Sequence, residues 1–142
     1  MQNKIALFAG SFNPFHLGHQ SIVQKGLKLF DEIYIVVTYN PEKDNLSSMQ
    51  ENYAYIKQLY ANEPNIHVDM NQNQLTAQYA RDKGIKWLLR SARNDVDFNY
   101  ELQLACGNKE LNNELETVLI LPDCSNISYQ SRLIRQKEKY NV

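Results

Sequence analysis

Two histidines three residues apart, just after a glycine that ends an apolar run, are the first side chains in this chain whose spacing could do chemistry. They lie in GSFNPFHLGH, from Gly10 to His19. If a helix begins there, His16 and His19 share one face of its first turn. A helix N-terminus carries unpaired N–H groups and a partial positive charge, and so attracts phosphate. Gly10 would let a phosphate approach the backbone closely, and imidazole N–H groups would donate to its oxygens. A capped helix with a satisfied histidine and a metal pair fit the same spacing. A metal site needs a third and fourth ligand, and His67, Cys106 and Cys124 make no convincing set with the pair. Further cations follow later apolar runs: Lys43 in NPEK, then Arg90 and Arg93 in LLRSARN. By themselves these could be a solvated lysine and two arginines paired with Asp95, Asp97 or Glu101.

The elements that must hold these residues alternate along the chain. Residues 4–9 and 32–38 read as strands, the second rich in β-branched and aromatic side chains. Shorter strands are expected at 66–70, 87–90 and 117–121. Helical spacing covers 17–30, with Ile22, Val23, Leu27 and Phe30 on one side. Further helices are expected at 48–60, opened by a Ser48/Glu51 capping box, at 75–83, stopped by Gly84, at 97–111 and at 131–139. Regular alternation implies βαβ units and a parallel sheet. The fold class is therefore α/β: a Rossmann-like five-stranded parallel sheet with helices on both faces, one domain over residues 1–142. Ligands of such sheets bind beyond the carboxyl ends of the strands, which is where Gly10–His19, Lys43 and Arg90–Arg93 fall. Phe98, Tyr100 and Leu104 are expected to face the core, and both cysteines to be small buried hydrophobes.

The first motif resembles the G-[ST]-F-[DN]-P-x-H-x-G-H signature of the HxGH nucleotidylyltransferases, which join a nucleoside monophosphate to a phosphate or phosphonate and release pyrophosphate. The stretch LLRSARNDVDFNYELQLACGNKEL resembles a second motif, that of bacterial phosphopantetheine adenylyltransferases, with Arg90, Arg93, Asp97, Phe98, Tyr100, Glu101, Gln103 and Asn108 in register. The resemblance implies transfer of AMP from ATP to 4′-phosphopantetheine. It implies that His19 stabilises charge on the α-phosphate, that Lys43 and Arg90 hold the acceptor phosphate, and that Ser11 contacts the phosphates of both substrates. Thr76 would meet the pantetheine arm. Phe12, His16, Ser91, Ala92, Arg93 and Glu101 would form the ATP site with Gln130, Ser131 and Arg132. Those last three stand where the family carries an I-S-S-[ST] run. Other departures are Ala9 for proline, Asn13 for aspartate and Ser91 for glycine.

The physical chemistry suits such a transfer. Two anionic phosphates must meet, and Lys43, Arg90, Arg93 and His19 supply a positive field, with Mg²⁺ carried mainly on the ATP phosphates. An acceptor phosphate is already an anion at neutral pH, so no general base is required. Three rival readings are a nicotinate mononucleotide adenylyltransferase, against which the DFNYE stretch and Lys43 speak, a non-catalytic nucleotide-binding protein, and a cytidylyltransferase. A formal net charge of −1 lacks the basic surplus of a duplex nucleic-acid binder. No apolar run approaches the roughly 20 residues of a membrane helix, and the N-terminal apolar stretch reads as a strand rather than a signal peptide. Two cysteines without a CxxC pair suit the cytoplasm. The family resemblance implies a homo-oligomer, a hexamer in its usual form, although the chain ends at Val142 without the further helix common there.

Overall fold

Five parallel strands pair in the order β3-β2-β1-β4-β5 in the computed structural model, which describes residues 3–42, 44–123 and 131–141. In chain order the elements are β1 (Ile5–Gly10), α1 (Leu17–Gly26), β2 (Glu32–Thr38), α2 (Leu46–Leu59), β3 (Ile66–Asn71), α3 (Thr76–Lys83), β4 (Trp87–Arg90), α4 (Asp95–Leu111), β5 (Glu116–Leu119) and α5 (Ser131–Lys139). β1 is central. It pairs with β2 over its whole length, from Ile5 opposite Glu32 to Gly10 opposite Val37. It pairs with β4 through Ala6 opposite Trp87 and Leu7 opposite Leu88. The order reverses between β1 and β4, which makes their carboxyl ends the crevice where a ligand fits.

The strands are apolar on both faces because both are covered. Phe8, Ile33, Ile35, Val37 and Leu89 pack with Ile22 and Val23 of α1 and with Met49 and Ile56 of α2. Leu7, Ala9, Val36 and Leu88 pack on the other side with Ala77, Tyr79 and Ala80 of α3 and with Leu115. Burying one such aliphatic side chain is worth about 1.5–3 kcal/mol.

Several boundaries differ from expectation. α1 ends at Gly26, and a turn closed by the Phe30 N–H on the Gly26 carbonyl drops Phe30 into the core. α2 starts at Leu46 rather than 48, and the Ser48/Glu51 capping box does not form. Its N-cap, Asn45, is buried and uses its side chain elsewhere, accepting from the Asn40 N–H at 2.7 Å and donating to the Thr38 carbonyl at 2.9 Å. Ser48 instead donates its hydroxyl to the Asn45 carbonyl. α4 starts at Asp95, because Asn94 caps it through the Asp97 N–H at 2.9 Å. Phe98 and Tyr100 are not core residues: they are 48% and 60% exposed. The buried positions of α4 are polar, Glu101 and Asn108. Cys106 is exposed, and Cys124 lies outside the described residues. No helix among the described residues is long and apolar enough to cross a membrane.

Candidate active site

β1 delivers Gly10 to the crevice, and the chain then folds into an aromatic wall before α1 begins. A Cβ on Gly10 would come within 3.2 Å of the Phe12 ring, so a larger residue here would press that ring out of place by a few tenths of an ångström. Phe12 adopts φ of 48°, a left-handed conformation that costs a bulky residue about 1–3 kcal/mol. Packing compensates: the ring is buried edge-on against Phe8 and Phe15, each with centroids 5.2 Å away. His19 sits in this wall, stacked on Phe15 at 5.2 Å and edge-on to Phe12 at 5.1 Å. The His16 ring also lies against His19, with centroids 3.8 Å apart.

The same turn fixes which ring nitrogen of each imidazole accepts. His16 is the N-cap of α1, and its Nδ1 accepts from the Gly18 N–H at 3.1 Å. The His16 backbone N–H in turn donates to His19 Nδ1 at 3.0 Å. A neutral imidazole whose Nδ1 accepts must carry its proton on Nε2. His19 is held neutral: burial, then the neighbouring His16 and Arg90 charges, push its pKa from 6.5 to about 4. It is thus a neutral, oriented N–H donor. The glycine of the motif is needed because a Cβ on Gly18 would lie 2.9 Å from the His16 ring.

Arg90, at the end of β4, faces the same crevice. Its Nε donates to Glu101 at 2.7 Å and its Nη2 at 2.6 Å, while Nη1 donates to the Ala9 carbonyl at 3.1 Å. Burial opposes the guanidinium charge, but the Glu101 carboxylate outweighs it and holds the Arg90 pKa above its ordinary value. Arg93 is exposed and donates to Asp97 at 3.0 Å, and the Asp97 pKa is lowered first by that bond and then by the Arg93 backbone N–H.

These groups line one open cavity of about 640 Å³. Ser11, Phe12, His16 and His19 form one wall, Arg90, Ser91 and Arg93 another, and Thr76 closes it from α3. Ala92 and Glu101 do not line it. Glu101, which the family resemblance would set against nucleotide, has both oxygens on Arg90. Lys43 and Gln130 lie outside the described residues; Ser131 and Arg132 open α5, with their side chains undescribed. Phe8, which lines the cavity, and Phe15, which stacks on His19, are parts of the site that sequence reasoning missed. Phenylalanines in an apolar run look like ordinary core, and only the spacing of Phe12 and Phe15 around the histidines carried a signal. A second, smaller cavity of about 180 Å³ lies between α3 and α4. It shares Ala9, Thr76, Arg90 and Leu104 with the first.

The sequence matches the cytidylyltransferase-like family over residues 7–137. It is 36% identical over 137 residues to the phosphopantetheine adenylyltransferase of Mycoplasma capricolum, covering 96% of this chain and 98% of that one. It is 37% identical to the enzyme of that name from Anaeromyxobacter sp., covering 97% and 84%. The chain belongs to the phosphopantetheine adenylyltransferase family. Similarity of fold extends further: the lipopolysaccharide core biosynthesis protein of Thermoplasma volcanium superposes with a TM-score of 0.61 at 16% identity, covering 91% of this chain and all of that one.

Proposed function

We propose that this chain transfers AMP from ATP to 4′-phosphopantetheine, releasing pyrophosphate and giving dephospho-coenzyme A. The observation that carries the reading is the pair of neighbouring cavities that share Ala9, Thr76, Arg90 and Leu104. The larger one holds imidazole and guanidinium donors, and the slot beside Arg90 is walled by Leu75, Leu88 and Leu111 with Asn108 as an amide partner. A phosphate on Arg90 would point its pantetheine arm into that slot, past Thr76. The planar pyridine and ribose of nicotinate mononucleotide offer no such apolar chain.

An acceptor phosphate oxygen attacks the α-phosphorus of ATP. A new P–O bond forms, and the bond from the α-phosphorus to the bridging oxygen breaks, so pyrophosphate leaves with the electron pair. The Nε2–H of His19 donates to the α-phosphate as its charge grows. Arg90, with Lys43, holds the attacking phosphate; Ser11 contacts the phosphates of both substrates. Phe12, His16, Ser91, Ala92 and Arg93 line or flank the nucleotide side, and Gln130, Ser131 and Arg132 bind the ATP phosphates. Positioning and preorganised donors supply the catalysis, as in phosphoryl transfer. Among the described residues no three His, Cys, Asp or Glu side chains converge on a cation position. Magnesium carried on the ATP phosphates would neutralise part of their charge. The exposed apolar side chains of α4, Phe98 and Leu102, support a homo-oligomeric assembly, a hexamer by family resemblance.

The test is a turnover assay with MgATP and a panel of phosphorylated acceptors. Pyrophosphate is expected with 4′-phosphopantetheine and not with nicotinate mononucleotide. The reverse pattern, or tight ATP binding with no turnover on any acceptor, would overturn the reading.

A further inference from the structure

A carboxylate buried beside a phosphate-binding crevice is unexpected on electrostatic grounds, because it repels the ligand. Glu101 is 4% exposed and projects from α4 toward the end of β4. Both its oxygens lie on Arg90: Oε1 receives Nη2 at 2.6 Å and Nε at 3.1 Å, and Oε2 receives Nε at 2.7 Å. On its other side the guanidinium is tied by Nη1 to the Ala9 carbonyl of β1. Arg90 is thus anchored to α4 and β1 as well as to its own strand. Among the described residues, one N–H on each terminal nitrogen remains uncommitted, and Arg90 lines both cavities.

We propose that Glu101 is a positioning residue, which fixes the Arg90 guanidinium so that its two remaining terminal N–H groups stand as a preset fork for the acceptor phosphate. The inference rests on the reading that Arg90 holds that phosphate. An arginine loses much rotamer freedom when it is immobilised. Here the loss is taken on folding, so the ligand meets a donor pair already in place. A paired carboxylate–guanidinium geometry suits this task, because it is planar and bidentate. Stability alone is a poor reason for such a pair, since a buried ion pair is commonly no more stable than well-packed apolar side chains of similar volume.

The experiment is a double-mutant cycle on the full chain with Glu101→Gln, Arg90→Ala and the double variant. KM for each substrate, kcat, ATP affinity by calorimetry and melting temperature are measured for all four proteins. Glutamine keeps the shape but removes the charge and one acceptor, so folding should survive. Glu101→Gln is expected to raise KM for 4′-phosphopantetheine about tenfold, within the coupling that one ion-pair network carries, and to leave ATP affinity within about twofold. In the Arg90→Ala background the same substitution should leave the acceptor KM unchanged. Equal losses for ATP and acceptor, or an effect that adds fully to that of Arg90→Ala, would overturn the proposal. If Arg90→Ala itself spares the acceptor KM, Arg90 is not the phosphate ligand and both readings of it fall. If Arg90→Ala raises that KM and Glu101→Gln does not, only the positioning role falls. Glu101→Asp is a further check: the shortened side chain reaches Arg90 less well, and should give an intermediate acceptor KM with unchanged ATP affinity.

Discussion

The chemistry of the His19 side chain was half legible in the sequence. The spacing of His16 and His19 at a helix start pointed to a phosphate, and the structure adds which nitrogen can donate. Sequence could not give that, because it depends on a backbone bond, the His16 N–H on His19 Nδ1 at 3.0 Å. It depends also on the wall of Phe8, Phe12 and Phe15 that keeps the ring partly out of water. A donor that acts mainly in the transition state should affect turnover more than ground-state binding. His19→Ala is expected to fold, to bind ATP within about twofold of the parent, and to lose about 10²–10³ in kcat, the usual cost of removing one preorganised donor. Calorimetry and steady-state kinetics on the same preparation decide it, and near-normal turnover would refute the role. Glu101 marks the limit of motif reading at this scale. The sequence offered it as one of three carboxylates that could pair with Arg90 or Arg93, and only the meeting of β4 and α4 assigns it to Arg90.

At the scale of elements, alternation of apolar runs and helical spacing located all five strands and all five helices, while caps and boundaries were less legible. The capping box expected at Ser48 and Glu51 fails because Asn45 starts the helix earlier and is itself committed to the loop after β2. Helix α4 misled in another way: aromatic residues at helical spacing read as core, yet the inward positions are Glu101 and Asn108. The cap of α1 makes a direct prediction. A Cβ at position 18 would meet His16 Cε1 at 2.9 Å and Nδ1 at 3.0 Å. Gly18→Ala should force the ring off its cap, costing about 1 kcal/mol and lowering kcat with it. In a His16→Ala background the obstruction is gone, and alanine is a better helix former than glycine by about 1 kcal/mol. There Gly18→Ala should be neutral or stabilising. Melting temperatures of the two pairs show whether the sign reverses; the same loss in both backgrounds would mean that the glycine serves something other than the His16 cap.

For the whole molecule, alternation implied a parallel sheet but left the strand order open, since local pattern does not say on which side of β1 each crossover returns. The order β3-β2-β1-β4-β5 turns around between β1 and β4, and this brings residues 10–19 and 90–93 to one crevice. The site is coupled to folding through His19, whose pKa falls from 6.5 to about 4 on burial beside His16 and Arg90. The folded chain disfavours the protonated ring. Between pH 6.5 and about 4 the unfolded chain binds a proton at His19 that the folded chain does not, so stability should fall as pH falls through that window. Above it both states are neutral there, and His19 contributes no pH dependence. Glu32, Asp97 and Asp123 have lowered pKa values from ordinary values of 4.5, 3.8 and 3.8, so their stabilisation is lost at more acid pH, as each is titrated in the folded chain. The interval from pH 6.5 down to 4.5 therefore isolates the histidine from these three carboxylates. Denaturant unfolding across that interval is expected to show stability rising with pH, and His19→Gln should flatten the slope. ATP should flatten it too, for a different reason. Its phosphates bring negative charge to the ring and favour the protonated form, so the nucleotide should stabilise the parent protein more strongly at the acid end. A slope that His19→Gln leaves unchanged would show that other groups carry the pH dependence. If ATP also stabilised the protein equally at both ends, the imidazole would not be beside the bound phosphates at all.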